Sequence, residues 1–292
     1  MIDYTSKDYK DIVEFYNRFK DKESIISWMQ KRKKAEPNLV EYNRGNYAIV
    51  VIPTIDADGK WATKDKEIFK GLHIIFAENE GKKPNKYFNY SYAINKGVER
   101  ALNYNPKWII ISNDDMEKQD DISKLIAELK QSENYDTLFF PKTNTYSSEV
   151  GLYKPRCQNL LRIRSEWRRA YANIYKKFQI EYELLDVKNR GFIYKNLIYK
   201  PISIISINHH QGNFIVLNSN YVRKELNGRV FDDAFINGHE DTWLSYKYLQ
   251  HSNFKISNWK IKAVAGGTLG TDKDRAFREI ANQIYFEYKL GV

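Results

Sequence analysis

The sequence predicts a layered α/β protein, and three observations carry that expectation. From Tyr47 onward, short runs of β-branched and aromatic residues alternate with segments of helical periodicity, the pattern of β-α-β units paired in parallel. The apolar runs are continuous rather than alternating with polar residues, as in strands covered on both faces. Hydrophobic residues make up 42% of the 292 and aromatic residues 15%. That is enough to bury a full core and too much for a disordered chain.

Residues 1–44 read as a separate helical N-terminal extension. Residues 9–19 and 24–34 carry apolar side chains three and four apart, and Pro37 and Gly45 close the segment. The first strand spans 47–54 and is ended by Pro53. A second, at 72–78, stops at Glu78-Asn79-Glu80-Gly81. A helix is expected over 89–103. The third strand follows and runs into Asp114, then a helix over 120–131 capped by Asp120 or Asp121, then a fourth strand at 137–140.

The pattern changes at 141–211. Residues 159–185 read as a long basic amphipathic helix, possessing a stripe of Leu160, Ile163, Trp167, Tyr171, Ile174 and Phe178. Arg164, Arg168, Arg169, Lys176 and Lys177 fall mostly off that stripe. The formal net charge is +10, and residues 151–200 hold twelve Lys/Arg against four Asp/Glu, so most of the excess sits in one segment. Such a surface suits an anionic partner, whether a phosphate-bearing substrate, an anionic membrane surface or nucleic acid, and it equally suits a solvated basic face. Strand signals return at 212–217.

The single cysteine, Cys157, excludes an intrachain disulfide and fits a reducing compartment. The first residues lack an apolar signal core, and no run approaches the roughly 18 apolar residues of a membrane span. The expectation is a cytoplasmic protein, at most peripheral to the membrane.

Two acidic clusters carry the chemistry. The run Ile109-Ile110-Ile111 stops at Asp114 and Asp115, at the strand end where open α/β sheets bind ligands. Like charges held together call for a positive partner, usually a divalent metal with oxygen ligands. A turn followed by a helix cap is the structural alternative. The second cluster is Asn237-Gly238-His239-Glu240-Asp241. Gly238 allows a tight turn, and carboxylates in the first turn of a helix are also favoured by its dipole alone.

Taken in order, the strand ending Pro53-Thr54, the strand ending Glu78-Asn79, the helix segment Asn89 to Gly97, Asn113-Asp114-Asp115 and Gly238-His239-Glu240-Asp241 resemble the motifs of family 2 glycosyltransferases. The resemblance covers roughly residues 47 to 270. It implies the GT-A fold, a Rossmann-like mixed sheet flanked by helices. The layout would be an N-terminal helical extension (1–44) and a transferase domain (45–292). Within the domain, 45–140 would be the nucleotide-binding half, 141–211 a basic helical insertion and 212–292 the acceptor half with the C-terminal segment. Residue by residue, the resemblance places Thr54, Asp56 and Glu78 beside the nucleotide base, with Glu78 where the family usually has Asp. Asn95 would lie near the nucleotide and Asp114 at the ribose. Asp115, with Asp114 beside it, would hold Mn²⁺ or Mg²⁺ on the diphosphate. Asp241 would be the catalytic base and Glu240 would support the acceptor. The implied donor is a nucleotide sugar, a UDP-sugar ahead of a GDP-sugar. The implied acceptor is a glycan, a lipid-linked molecule or a protein, and the transfer is hexosyltransferase-like with inversion.

One departure concerns the C-terminal segment. Many relatives carry a late His over the diphosphate, and residues 260–270 have none. Gly266, Gly267 and Thr268, with Lys262, Lys273 or Arg275, offer a substitute phosphate loop, and His209 or His210 a stand-in ligand. A nucleotidyltransferase is the main rival, but Pro53 to Gly59 lacks the basic residue beside the glycine that such enzymes place after the first strand. A basic nucleic-acid-binding protein would explain the charge of 151–200 and not the acidic pairs.

Overall fold

Continuous β-branched runs become the buried centre of a seven-stranded sheet. The computed structural model describes residues 9–140, 150–155, 173–180, 183–186, 199–200, 206–207, 209–264 and 273–291. The first half comprises α1 (Tyr9–Asn17), α2 (Lys22–Lys31), β1 (Asn38–Tyr42), β2 (Ala48–Thr54), α3 (Lys60–Ile68), β3 (His73–Glu78), α4 (Tyr90–Leu102), β4 (Trp108–Ser112), β5 (Met116–Lys118), α5 (Ile122–Lys130) and β6 (Thr137–Phe139). After it come β7 (Val150–Pro155), β8 (Glu183–Asp186), β9 (Tyr199–Lys200), β10 (Ser206–Ile207) and β11 (Phe214–Asn218). The chain continues through α6 (Ser219–Lys224), α7 (Glu240–Lys247), β12 (Phe254–Ile256), β13 (Ile261–Ala263) and α8 (Lys273–Leu290).

The strand order is β1-β3-β2-β4-β11-β6-β12. As the β-α-β alternation requires, β2 is parallel to both β3 and β4. The sheet is nevertheless mixed, because β11 runs antiparallel between β4 and β6, while β12 is parallel to β6. Every residue of β2, β3, β4 and β11 is buried, which is why these runs show no polar alternation. Val50, Ile52, Ile74, Phe76 and Ile110 pack on one face with Leu125 and Leu129 of α5. Ile49, Val51, Ile75, Ile109 and Ile111 pack on the other with Ile94, Val98 and Ala101 of α4. Gly97 lets α4 sit close: a Cβ there would lie 2.3 Å from Val51 Cγ1.

Three expectations need correction. Residues 38–42, inside the stretch read as a helical extension, form β1, which pairs antiparallel with β3 and extends the main sheet. Leu39 and Val40 pack against opposite-face cores, the period-2 signature of a strand, hidden in the sequence by its shortness. The two N-terminal helices are also not separate. Ile25 and Met29 share a core with Phe235, Ile280, Ile284 and Phe286, and Lys22 Nζ donates to Glu287 Oε2 at 2.8 Å. Finally, the helix expected to reach residue 185 does not: residues 173–177 are helical, but β8 is a strand pairing antiparallel with β7. Ile174 and Phe178, from the expected stripe, are buried in the same core as Tyr16. The remainder of that stripe, Cys157 and most of the basic segment lie outside the described residues. Among the described residues, no helix is long and apolar enough to cross a membrane.

Candidate active site

Because β2, β3 and β4 are parallel neighbours, their carboxyl ends line one edge of the sheet, the place where α/β sheets bind ligands. Thr54 and Glu78 face each other in register at the ends of β2 and β3. Thr54 Oγ1 donates to Asp114 Oδ2 at 3.0 Å, just past the end of β4. Glu78 is held in place: its Oε2 accepts from Ala57 N at 2.8 Å and its Oε1 from Asn38 Nδ2 at 3.1 Å. Asp56 sits on the rim, where Lys82 Nζ meets its Oδ1 at 3.0 Å and Asp58 Oδ2 at 2.7 Å. The Asp58 backbone N–H, followed by Lys82, holds the Asp56 carboxyl below its usual range. Thr54, Glu78, Asp114 and Asp56 thus cluster at one end of the sheet.

Asp115 follows directly and is 6% exposed. Its carbonyl accepts from Val264 N at 2.9 Å, and the β5–β13 pairing aligns Met116 with Ala263. Val264 therefore lies beside Asp115. Gly266, Gly267, Thr268 and the side chains of Lys273 and Arg275 lie outside the described residues.

A third carboxyl stands close by that was not read from the sequence. Asp65, on α3, is fully buried, and neither carboxyl oxygen has a hydrogen-bond partner. Burial first, then the charges of Asp114 and Asp115, push it up to about 9. One signal was present: Ala62, Asp65 and Ile68 recur every third residue and share the buried face of α3, so an acid occupies an apolar position.

The second acidic pair is tied to the first through the backbone. Asn113 N donates to Asn213 O at 2.9 Å, and the neighbouring Gly212 N donates to Asp241 Oδ2 at 2.9 Å. Glu240 and Asp241 open α7, as expected, and their approach is set by left-handed backbone at Asn237 (φ 46°) and His239 (φ 69°). Gly238 itself serves close packing, since a Cβ there would lie 3.1 Å from Asn282 Nδ2. Asn282 brackets Ile236, accepting from its N–H at 2.8 Å and donating to its carbonyl at 3.1 Å. Tyr90 N donates to Asn237 Oδ1 at 2.7 Å, which anchors the loop to α4.

Electrostatics distinguish the two acids. Glu240 is 7% exposed, and burial, then the Asp241 charge, push its carboxyl up. Asp241 keeps 21% of its side-chain surface exposed. Burial acts to raise it, but His209, Gly212 N–H and Thr242 N–H outweigh that and hold it well below the ordinary range. Buried Tyr90 feels both clusters: its phenol is raised by burial, then by Glu240 and Asp241, then by Asp115 and Asp114.

Asn95 is placed differently from the others. Its Nδ2 donates to Phe231 O at 2.8 Å and its Oδ1 accepts from Phe231 N at 3.1 Å, so both ends of the amide are engaged with the loop after α6. The adjacent histidines point apart, as residues in extended chain do. His209 faces Asp241, whereas His210 packs on Phe139 with ring centroids 4.6 Å apart. Burial, then His209, lowers His210 to about 3.

Among the described residues, no group of three or more His, Cys, Asp or Glu side chains converges as a metal site. A cation at Asp114 and Asp115 would need further oxygen ligands from a bound molecule, and that donor set suits hard cations such as Mg²⁺ or Mn²⁺. The orphaned Asp65 carboxyl beside this pair fits a site with a surplus of negative charge. No model of a known protein family and no curated protein matches this chain.

Proposed function

We propose that the chain is a glycosyltransferase of GT-A type. It moves a sugar from a nucleotide-sugar donor, a UDP-sugar ahead of a GDP-sugar, to an acceptor hydroxyl with inversion. One observation carries the reading: two acidic pairs 125 residues apart in sequence are coupled across adjacent strand ends through Asn113–Asn213 and Gly212–Asp241. A mixed sheet with helices on both faces is in keeping with that fold.

In this reading the cluster of Thr54, Glu78 and Asp114 takes the nucleoside, with Asp56 at its rim. Asp115, with Asp114 beside it, holds Mn²⁺ or Mg²⁺. Such an ion offsets the charge that develops on the departing diphosphate. Asp241 is ionised and partly exposed, so it accepts the proton of the acceptor hydroxyl as that oxygen bonds to the anomeric carbon. A base on the face opposite the leaving group inverts the configuration, through an oxocarbenium-like transition state. Glu240, buried and raised, supports the acceptor side in its protonated form as a hydrogen-bond donor.

The test is a donor screen by thermal shift with UDP-, GDP- and dTDP-sugars, with and without Mn²⁺, followed by turnover of the best donor. Asp115→Asn and Asp241→Asn should each lower kcat by roughly 100-fold or more. Near-normal turnover in Asp241→Asn would remove it from the role of base. No shift with any donor would remove the transferase reading itself.

A further inference from the structure

The acidic pairs are framed by one buried imidazole to which the proposed reaction assigns no work. His209 is 8% exposed. Its Nε2 is hydrogen-bonded with Thr242 Oγ1 at 3.3 Å and lies within ion-pair range of Asp241 Oδ2 at 3.4 Å. Its Nδ1 is buried without a hydrogen-bond partner. A ring protonated on Nδ1 alone would bury a donor with no acceptor, which is costly, and would aim the Nε2 lone pair at a carboxylate. A proton on Nε2 faces acceptors instead.

We propose that His209 is a positioning residue for Asp241, holding an Nε2–H against Oδ2 of the carboxylate. Among the described residues, Gly212 N–H on Oδ2 and Thr242 N–H on Oδ1 at 2.8 Å orient the acid, with His209 Nε2 beside Oδ2. Oδ1 has a 3.5 Å contact from Thr242 Oγ1 besides that bond among the same residues, which leaves it the oxygen for an incoming hydroxyl. The titratable groups around the pair are Glu240 on the same helix, His210 next in sequence, Tyr90 from α4, and Arg278 of α8 acting on Glu240. None of these donates a hydrogen bond to Asp241, so among the described residues the orientation falls to two backbone amides and His209. The consequence for turnover rests on the transferase reading, whereas the pairing itself does not.

The experiment therefore has two arms on the full chain. In ¹⁵N-histidine NMR, His209 should carry a proton on Nε2, and Asp241→Asn should shift its Nε2 resonance while leaving His210 in place. An unchanged His209 signal in Asp241→Asn overturns the proposal. In donor turnover, His209→Phe should lower kcat on the order of 100-fold, the scale of a misplaced catalytic group, with the donor KM unchanged. His209→Gln, which can present an N–H at the same reach, should recover most of that loss. Wild-type kcat in His209→Phe also overturns it. If the unmodified chain turns over no nucleotide sugar while the NMR coupling is present, the transferase reading falls and the His209–Asp241 pairing is upheld.

Discussion

Replacing Asp65 by Asn in chelator-treated protein should stabilise the fold by an amount that grows with pH. The carboxyl is fully buried without a partner, and its folded value of about 9 stands above the ordinary 3.8. The native chain therefore keeps a proton that the unfolded chain releases, and stability falls as pH rises from about 4 to about 9. At pH 7 the gap of roughly three units from the ordinary value, at about 1.4 kcal/mol per unit, amounts to about 4 kcal/mol. Near pH 4 it shrinks below about 1 kcal/mol. Asn has the same shape and does not ionise, so it removes this penalty and retains a polar group in the cavity. Urea denaturation of both proteins between about pH 4 and pH 8 measures the difference. A gap that does not change with pH, or an Asn variant less stable than the parent at neutral pH, would refute the reasoning.

Two further substitutions probe how the site is held. Gly97→Ala would drive a Cβ to 2.3 Å from Val51 Cγ1 and should cost about 1–3 kcal/mol of stability through overpacking, read as a fall in Tm; no change would mean that α4 does not press on β2. Asn95→Ala strips both partners from the Phe231 backbone and should destabilise by about 1–3 kcal/mol, read as a fall in Tm; unchanged stability would mean that this pairing does not hold the loop.

What the sequence determined by itself was local. The strands β2, β3 and β4, the helix α4, the Asp121 cap of α5, and the acids at the strand and helix ends were legible because apolar periodicity and capping act within a few residues. Tertiary structure decided what depends on distant partners. A five-residue run such as Asn38–Tyr42 becomes a strand only because β3 offers an open edge, and β11 takes its antiparallel direction from β4 and β6. Nothing local in the sequence indicates that both ends of the Asn95 amide pair with the Phe231 backbone. Asp65 looks like one more helix acid until burial and two neighbouring carboxylates raise it, and His209 acquires a partner only when strand pairing brings Gly212 beside Asp241. Residue type sets which chemistry a side chain can perform; burial and charges from elsewhere in the chain set its protonation and its aim, and those are properties of the folded arrangement alone.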